Sequence, residues 1–399
     1  MTDKTAGFAV GAETKSVRQY LVSNIRDYGM LLSLILIIVF FQVKTGYVML
    51  APQNVTNVFL QNSYTIVMAL GMLLVIVAGY IDLSVGSVCG FTGAVAAVLM
   101  VDYHWDPFAA SLVALASGAL IGGIQGWFVA YLRIPAFIVT LAGMMVFRGL
   151  TMALLNGRSV GPFPDLFKQI SIGYIPDYFG RPGFYPTSLV IGIVLAFLLV
   201  AFGIRGRLAR QKHGVEDEPT PIFVGRNALL AGATIYVSYL LANNKGFPNV
   251  LILMSVLMLF YAFVTTKTVI GRRIYALGGN EKAAKLSGIK TEQLTLLAFV
   301  NMGVLAALAG LIFAARLTTA VPNAGLGLEL DVIAACFIGG ASASGGVGKV
   351  TGAVIGALLM GVMNIGMSIL SIGIDYTMVI KGLVLLFAVC LDVYYKKRR

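Results

Sequence analysis

Ile66-Val67-Met68-Ala69-Leu70-Gly71-Met72-Leu73-Leu74-Val75-Ile76-Val77-Ala78 carries no polar side chain, and Gly79-Tyr80-Ile81-Asp82-Leu83-Ser84-Val85-Gly86-Ser87 interrupts the run before the next apolar stretch begins. Taken over residues 58–80, the first stretch supplies the ~20 apolar residues that a helix needs to cross a bilayer core. The same alternation of apolar run and polar punctuation recurs at 28–43, 83–101, 108–131, 136–155, 185–204, 227–243, 248–266, 293–315, 328–341, 350–372 and 376–394. The pattern predicts an all-α polytopic membrane helix bundle of about 12 transmembrane segments, with one or two broken or re-entrant stretches. Composition agrees: 58% of the 399 residues are hydrophobic and 12% charged, and the mean hydropathy is +0.89, too apolar for a soluble domain of this length. The 46 glycines suit a bundle in which small residues let helix backbones approach closely.

A net charge of +12 raises the question of nucleic-acid binding, which the placement of the basic residues answers. They fall at the edges of apolar runs: Lys4, Lys15, Arg18 and Arg26; Arg205, Arg207, Arg210, Lys212 and Arg226; Lys267, Arg272, Arg273, Lys282, Lys285 and Lys290; and Lys396-Lys397-Arg398-Arg399. These are the two termini and the even-numbered junctions, so the rule that Lys and Arg stay on the cytoplasmic side places both N and C termini in the cytoplasm. The chain divides into a cytoplasmic tail 1–27, a transmembrane domain 28–394 with a cytoplasmic loop 271–290, and a basic tail 395–399. The partner implied is a lipid bilayer, not nucleic acid. The first two dozen residues lack the basic start and apolar core of a cleavable signal peptide.

Two Gly-interrupted stretches are weak points in the count, Gly79 to Ser87 and Gly339-Gly340-Ala341-Ser342-Ala343-Ser344-Gly345-Gly346-Val347-Gly348. Each reads as a surface turn or as a re-entrant break, since irregular backbone at membrane depth needs protein or a wet cavity around it. A re-entrant 328–341 would leave eleven crossings and an outward-facing basic tail, which favours twelve. Gly118, Gly122 and Gly126, and Gly86, Gly90 and Ala94, recur at intervals of four and mark close helix contacts, internal or between copies.

Catalytic and metal chemistry finds little support. Gly345-Gly346-Val347-Gly348-Lys349 resembles a phosphate loop but has Ala343 where the first glycine belongs and Val350 where Ser or Thr belongs. The chain is therefore read as no enzyme, without an ATPase site of its own. Cys89, Cys336 and Cys390 have no paired spacing and read as buried free thiols. His104 and His213 stand alone and read as surface residues; no metal site is expected. Asp82, an acid among apolar segments, calls for a polar partner, and with Ser84 and Ser87 it suits the start of the next helix.

The stretch Gly271 to Gly288 holds the clearest local grammar. Asn280 is a good N-cap, Glu281 suits a helix N-terminus, Glu281 and Lys285 are spaced as an i,i+4 pair, and Gly288 can end the helix in a left-handed cap. A helix of about two turns results, too short to persist alone.

Three stretches, Ile81 to Ser87, Gly271 to Gly288, and Glu329-Leu330-Asp331-Val332-Ile333-Ala334-Ala335 with Ile338-Gly339-Gly340, together with Ala136 to Met144 and Phe147-Arg148-Gly149, resemble the membrane permeases of ATP-binding-cassette importers for ribose, xylose and related monosaccharides. The resemblance runs over nearly the whole chain in matching order. It implies a bacterial inner-membrane permease, working as a dimer of two copies, with a separate cytoplasmic ATPase and a periplasmic sugar-binding protein. ATP and magnesium would be bound by that ATPase, and this chain would hold no cofactor. The ATPase-coupling residues implied are Gly278, Gly279, Asn280, Glu281, Ala284, Lys285 and Gly288. Asp82, Ser84, Glu329 and Asp331 are read as substrate-path or structural polar groups. A hairpin near 203–247, absent from the shorter ribose-type permeases, with Val224-Gly225-Arg226, leans the reading towards xylose. The alternatives are an ion-coupled secondary solute transporter, for which Asp82, Glu329 and Asp331 would be the ion-site candidates, and an importer permease for a non-sugar solute.

Overall fold

The computed structural model of the chain describes residues 25–180, 183–212 and 218–397, with side chains from 28 to 390. The expected tails 1–27 and 395–399, and His213, lie outside the described residues apart from the backbone of the first and last helices. Among the described residues there are fifteen helices and no strand, only the isolated bridges Val160–Ala320 and Tyr174–Pro248. We number them α1 (Ile25–Lys44), α2 (Pro52–Val77), α3 (Val85–Ala97, continued by a π-helical turn Val98–Asp102), α4 (Pro107–Ala130), α5 (Ala136–Leu154), α6 (Asp165–Ile172), α7 (Pro186–Lys212), α8 (Thr220–Ala242), α9 (Asn249–Lys267), α10 (Val269–Gly279), α11 (Glu281–Leu286), α12 (Thr291–Leu317), α13 (Leu328–Ile338), α14 (Val350–Ile369) and α15 (Ile374–Lys397). Every expected segment coincides with a helix. Eight of them, α2, α3 with its π turn, α4, α5, α7, α9, α12 and α14, are long and apolar enough to cross a membrane by length and composition.

The chain forms two compact units. One holds 176–246, in which α7 and α8 make an antiparallel hairpin. Its seam is built from small and polar residues: Gly192 faces Ser238, Gly203 faces Asn227, and Asn227 Nδ2 donates to the Phe223 carbonyl at 2.8 Å. Arg226 pairs with Glu218 at 2.8 Å, and the Arg207 guanidinium lies 4.6 Å from the centre of the Phe223 ring.

The other unit, 29–175 with 247–399, is the main bundle. Its centre is α2 and α12, with α14 against α2 and α13. Local chemistry sets the helix starts: Asp106 accepts hydrogen bonds from Phe108 N (2.9 Å) and Ala109 N (3.1 Å), with Pro107 at the first position of α4. The spaced glycines of α4 have an internal partner, not a second copy. A Cβ on Gly118 would strike the Gly303 backbone of α12, and one on Gly122 the Phe299 backbone, so the helices pack main chain to main chain. Gly86 and Gly90 of α3 face the irregular segment 324–325 in the same way. Of the thiols, Cys89 and Cys336 are buried, but Cys390 is exposed; it lies on α15, a helix that packs Ile380, Val384 and Leu385 against the core and leaves Met378, Leu386 and Phe387 exposed.

The segment expected to span at 328–341 is helical over only part of the length a span needs. Its helix α13 has eleven residues, about 16 Å at 1.5 Å per residue, half of a bilayer core. The preceding 318–327 is irregular. It leaves one end of the bundle, where Phe163 N donates to the Thr318 carbonyl at 3.3 Å, and Ala324 and Gly325 then run against Gly90 and Gly86 of α3. After α13, Gly339 packs on Gly352 of α14, and Gly346 N donates to the Val77 carbonyl at 2.8 Å, at the opposite end. The segment therefore runs from one end of the bundle to the other, with Ala320 and Gly325 of its irregular half buried and Asn323 and Leu326 exposed.

Candidate functional site

At the end of the bundle where α2 finishes, the chain leaves α9 and forms the corner α10–α11. Thr268 Oγ1 accepts from Gly271 N (3.1 Å) to start α10, and Gly271, Ile274 and Leu277 are buried on one face while Arg272 and Arg273 stay exposed. At Gly278 the backbone of α10 meets the last turn of α2: a Cβ there would run into the Val77 carbonyl oxygen. Gly345 and Gly346, in left-handed conformation, close the turn 342–348 against Gly278 and Gly279. Tyr275 OH donates to the Gly348 carbonyl at 2.7 Å, and burial pushes its phenol above the usual tyrosine range. The glycine-rich stretch that mimics a phosphate loop is thus a docking turn, which ties α10 to the ends of α2 and α14.

Asn280 then caps α11, its Oδ1 accepting from Ala283 N at 3.0 Å. The six-residue helix ends in a Schellman motif: Ile289 N donates to the Ala284 carbonyl (3.1 Å) and Gly288 N to the Lys285 carbonyl (3.0 Å), with Gly288 at φ +78. Ala284 is its one buried side chain, and Leu286 is 90% exposed. Glu281 and Lys285 do not pair with each other. Arg133, in the α4–α5 turn, bonds both Glu281 (2.5 Å) and Glu292 (2.8 Å), and Lys285 bonds Glu292 (2.7 Å). The result is a chain of alternating charge, Glu281–Arg133–Glu292–Lys285, which ties α11 to two other elements. The bond to Glu281 raises the Arg133 guanidinium above its ordinary value. The i,i+4 pair does not form because Lys285 reaches Glu292 instead, and Glu281 takes one arm of the Arg133 fork whose other arm holds Glu292.

The interior acids have two different surroundings. Asp82 Oδ1 accepts from Ser84 N (2.8 Å) and Ser84 Oγ (2.6 Å), and Ser84 Oγ lies 3.1 Å from the Gln125 amide of α4. Ser84, not Asp82, is the N-cap residue of α3, and Asp82 ties down the backbone just before it. Asp331 of α13 is 3% exposed and is neutralised by Lys381 of α15 (2.9 Å), with Asn364 of α14 donating to the same oxygen at 3.2 Å. Glu329, two residues earlier and 7% exposed, faces Arg148 of α5 at 3.6 Å. Sequence reasoning passed over Arg133, gave Arg148 only as part of the resemblance, and passed over Lys381 as well. The last two carried a signal, since each is a cation inside an apolar span; Arg133 carried none, because its partners lie more than a hundred residues away.

The arrangement is that of a multi-pass membrane protein with a rigid, capped corner at one end and buried charge pairs within. No solved structure matches the chain. It is 40% identical to the xylose transport system permease protein XylH of Escherichia coli (strain K12), over 94% of this chain and 93% of that one. It is also 40% identical to XylH of Haemophilus influenzae, over 94% and 98%. The ribose import permease protein RbsC of E. coli (strain K12) is 36% identical over 85% of each chain. The family model described as branched-chain amino acid transport system / permease component matches residues 54–389; the chain belongs to that permease family, on the branch that holds the xylose and ribose permeases.

Proposed function

We propose that this chain is the membrane-spanning permease subunit of an ATP-binding-cassette importer for monosaccharides in a bacterial inner membrane, with xylose as the favoured solute. It works as a pair of copies with both termini cytoplasmic, takes sugar from a periplasmic binding protein, and draws energy from a separate cytoplasmic ATPase that binds ATP and magnesium. The observation that carries the reading is α11. A helix of six residues is too short to persist alone; here two caps and the chain of charges hold it outside the spans with Leu286 bare to solvent. A large exposed apolar side chain on a rigid mount suits insertion into a groove of a partner protein. The main-chain contacts at Gly278 and the turn 342–348 carry a displacement of α11 to the ends of α2 and α14 without compressible side chains between them. The near-complete coverage by xylose permeases, against 85% for the ribose permease, supports xylose.

The test is assembly with the ATPase. Leu286→Asp, and separately the double variant Asn280→Pro, Glu281→Lys, should insert in membranes normally yet capture less ATPase and lose sugar-stimulated ATP hydrolysis. Wild-type assembly and coupling in both would make the corner an ordinary connection. Uptake by the lone chain without ATP would favour a secondary transporter.

A further inference from the structure

Arg148 is the single charge of α5, twelve residues into a helix of nineteen, or about 18 Å along a length of about 28 Å. Side chains lean towards a helix's N-terminus, which carries this guanidinium towards the middle of the span. Its side chain is 37% exposed, and an arginine at that depth does not face acyl chains. The open side therefore meets water or a polar ligand. On its protein side it meets Glu329 at 3.6 Å, which leaves most of its five N–H donors for something else.

Two helix N-termini meet at the same place. Gly86 in the first turn of α3 abuts Gly325 and Glu329 at the start of α13, and the N-cap residues Ser84 and Gly327 give no side-chain cap to either helix. Two buried polar atoms in these turns have no hydrogen-bond partner, Glu329 Oε2 and Ser87 Oγ, on residues 7% and 3% exposed. An unmade hydrogen bond at a buried group costs about 1–3 kcal/mol, so a ligand that supplies it is favoured. Asp331, on the same helix, has Lys381 and Asn364 on its Oδ2, while its Oδ1 is likewise without a partner. A guanidinium, a carboxylate and a hydroxyl present both donors and acceptors with charges that offset each other. That set fits a neutral solute with several hydroxyl groups better than an anion or a cation.

We propose that Arg148, Glu329 and Ser87 are the specificity-determining sugar contacts within the membrane, Arg148 donating to, and Glu329 and Ser87 accepting from, the hydroxyls of one aldopentose. The assignment rests on the monosaccharide-permease reading. Glu329 and Ser87 are closed off in this conformation, and the bare flank of Arg148 marks the side on which the site opens when α5 and α13 part.

The test uses the full importer in vesicles, with its ATPase and its loaded binding protein, and measures uptake of xylose and ribose, which differ in one hydroxyl's configuration, together with ATP hydrolysis. Arg148→Gln should lower xylose uptake about tenfold, the loss of one charged hydrogen bond, while hydrolysis falls far less; Arg148→Lys should recover part. Ser87→Ala should shift the xylose-to-ribose ratio roughly threefold. The double variant Arg148→Gln, Glu329→Gln removes both charges and so separates sugar handling from helix packing: it should stay impaired. Recovery of uptake with the wild-type sugar ratio in the double variant, or an unchanged ratio and rate in Arg148→Gln, overturns the assignment. Wild-type vesicles that import neither sugar overturn the monosaccharide reading itself, and this assignment with it.

Discussion

The corner around α11 and the interior around α13 both hold linked charges, and they use them in opposite ways. At the corner four side chains alternate in sign, and the pairing groups of Arg133 and Glu281 are 49% and 40% exposed; water screens each pair to about 0–1 kcal/mol. Inside the bundle the pair Asp331–Lys381 is 5% and 23% exposed, where removal of one partner leaves a charge without compensation. The corner is therefore shaped by its backbone, through caps and glycine contacts, with charges setting the register. The interior is held by the charge itself.

The largest effect expected from this contrast is at Lys381. Lys381→Ala should destabilise the bundle by about 3–5 kcal/mol, read by unfolding in detergent, and a second change, Asp331→Asn, should restore most of the loss. A shift no larger than that of a surface lysine would mean that Asp331 is solvated, and the contrast would collapse. Next comes Gly278→Val, which drives a side chain into the Val77 carbonyl; overpacking of this kind costs about 1–3 kcal/mol. Hydrogen exchange should rise at Tyr275–Gly279 and in the turn 342–348 together, since one contact holds both. Asn280→Ala removes a cap for about 1 kcal/mol and should loosen α11 while leaving α10 protected. The smallest effect belongs to Arg133→Ala: under about 1 kcal/mol in stability, yet with ATPase capture that becomes sensitive to salt. A large stability loss there would show that the corner depends on charge as the interior does.

Much of this was legible along the chain. The spans follow from apolar length, and the caps Asn280 and Gly288 from rules that act within six residues. What stayed hidden was whatever needs a partner from elsewhere. Glu281 offered Lys285 as its local mate, but Arg133 wins from 148 positions away. The glycines of α4 announced a close neighbour without saying that it is α12. The stretch 328–341 looked like a span because apolar composition does not register that its helix holds only eleven residues and is preceded by the turns of 318–327. Arg148 and Lys381 were visible as cations in apolar runs, and only the fold separates the one held by a buried aspartate from the one left partly bare.

On the proposed function, this chain moves sugar only when a separate motor works on α11. The direct measurement is uptake of labelled xylose into vesicles that carry the chain alone, or the chain with its ATPase and loaded binding protein, each with and without ATP. Uptake is expected only with all components and ATP, and it should disappear with Leu286→Asp although the protein remains inserted. Xylose accumulation by the lone chain, driven by an ion gradient and indifferent to ATP and to Leu286, would contradict it.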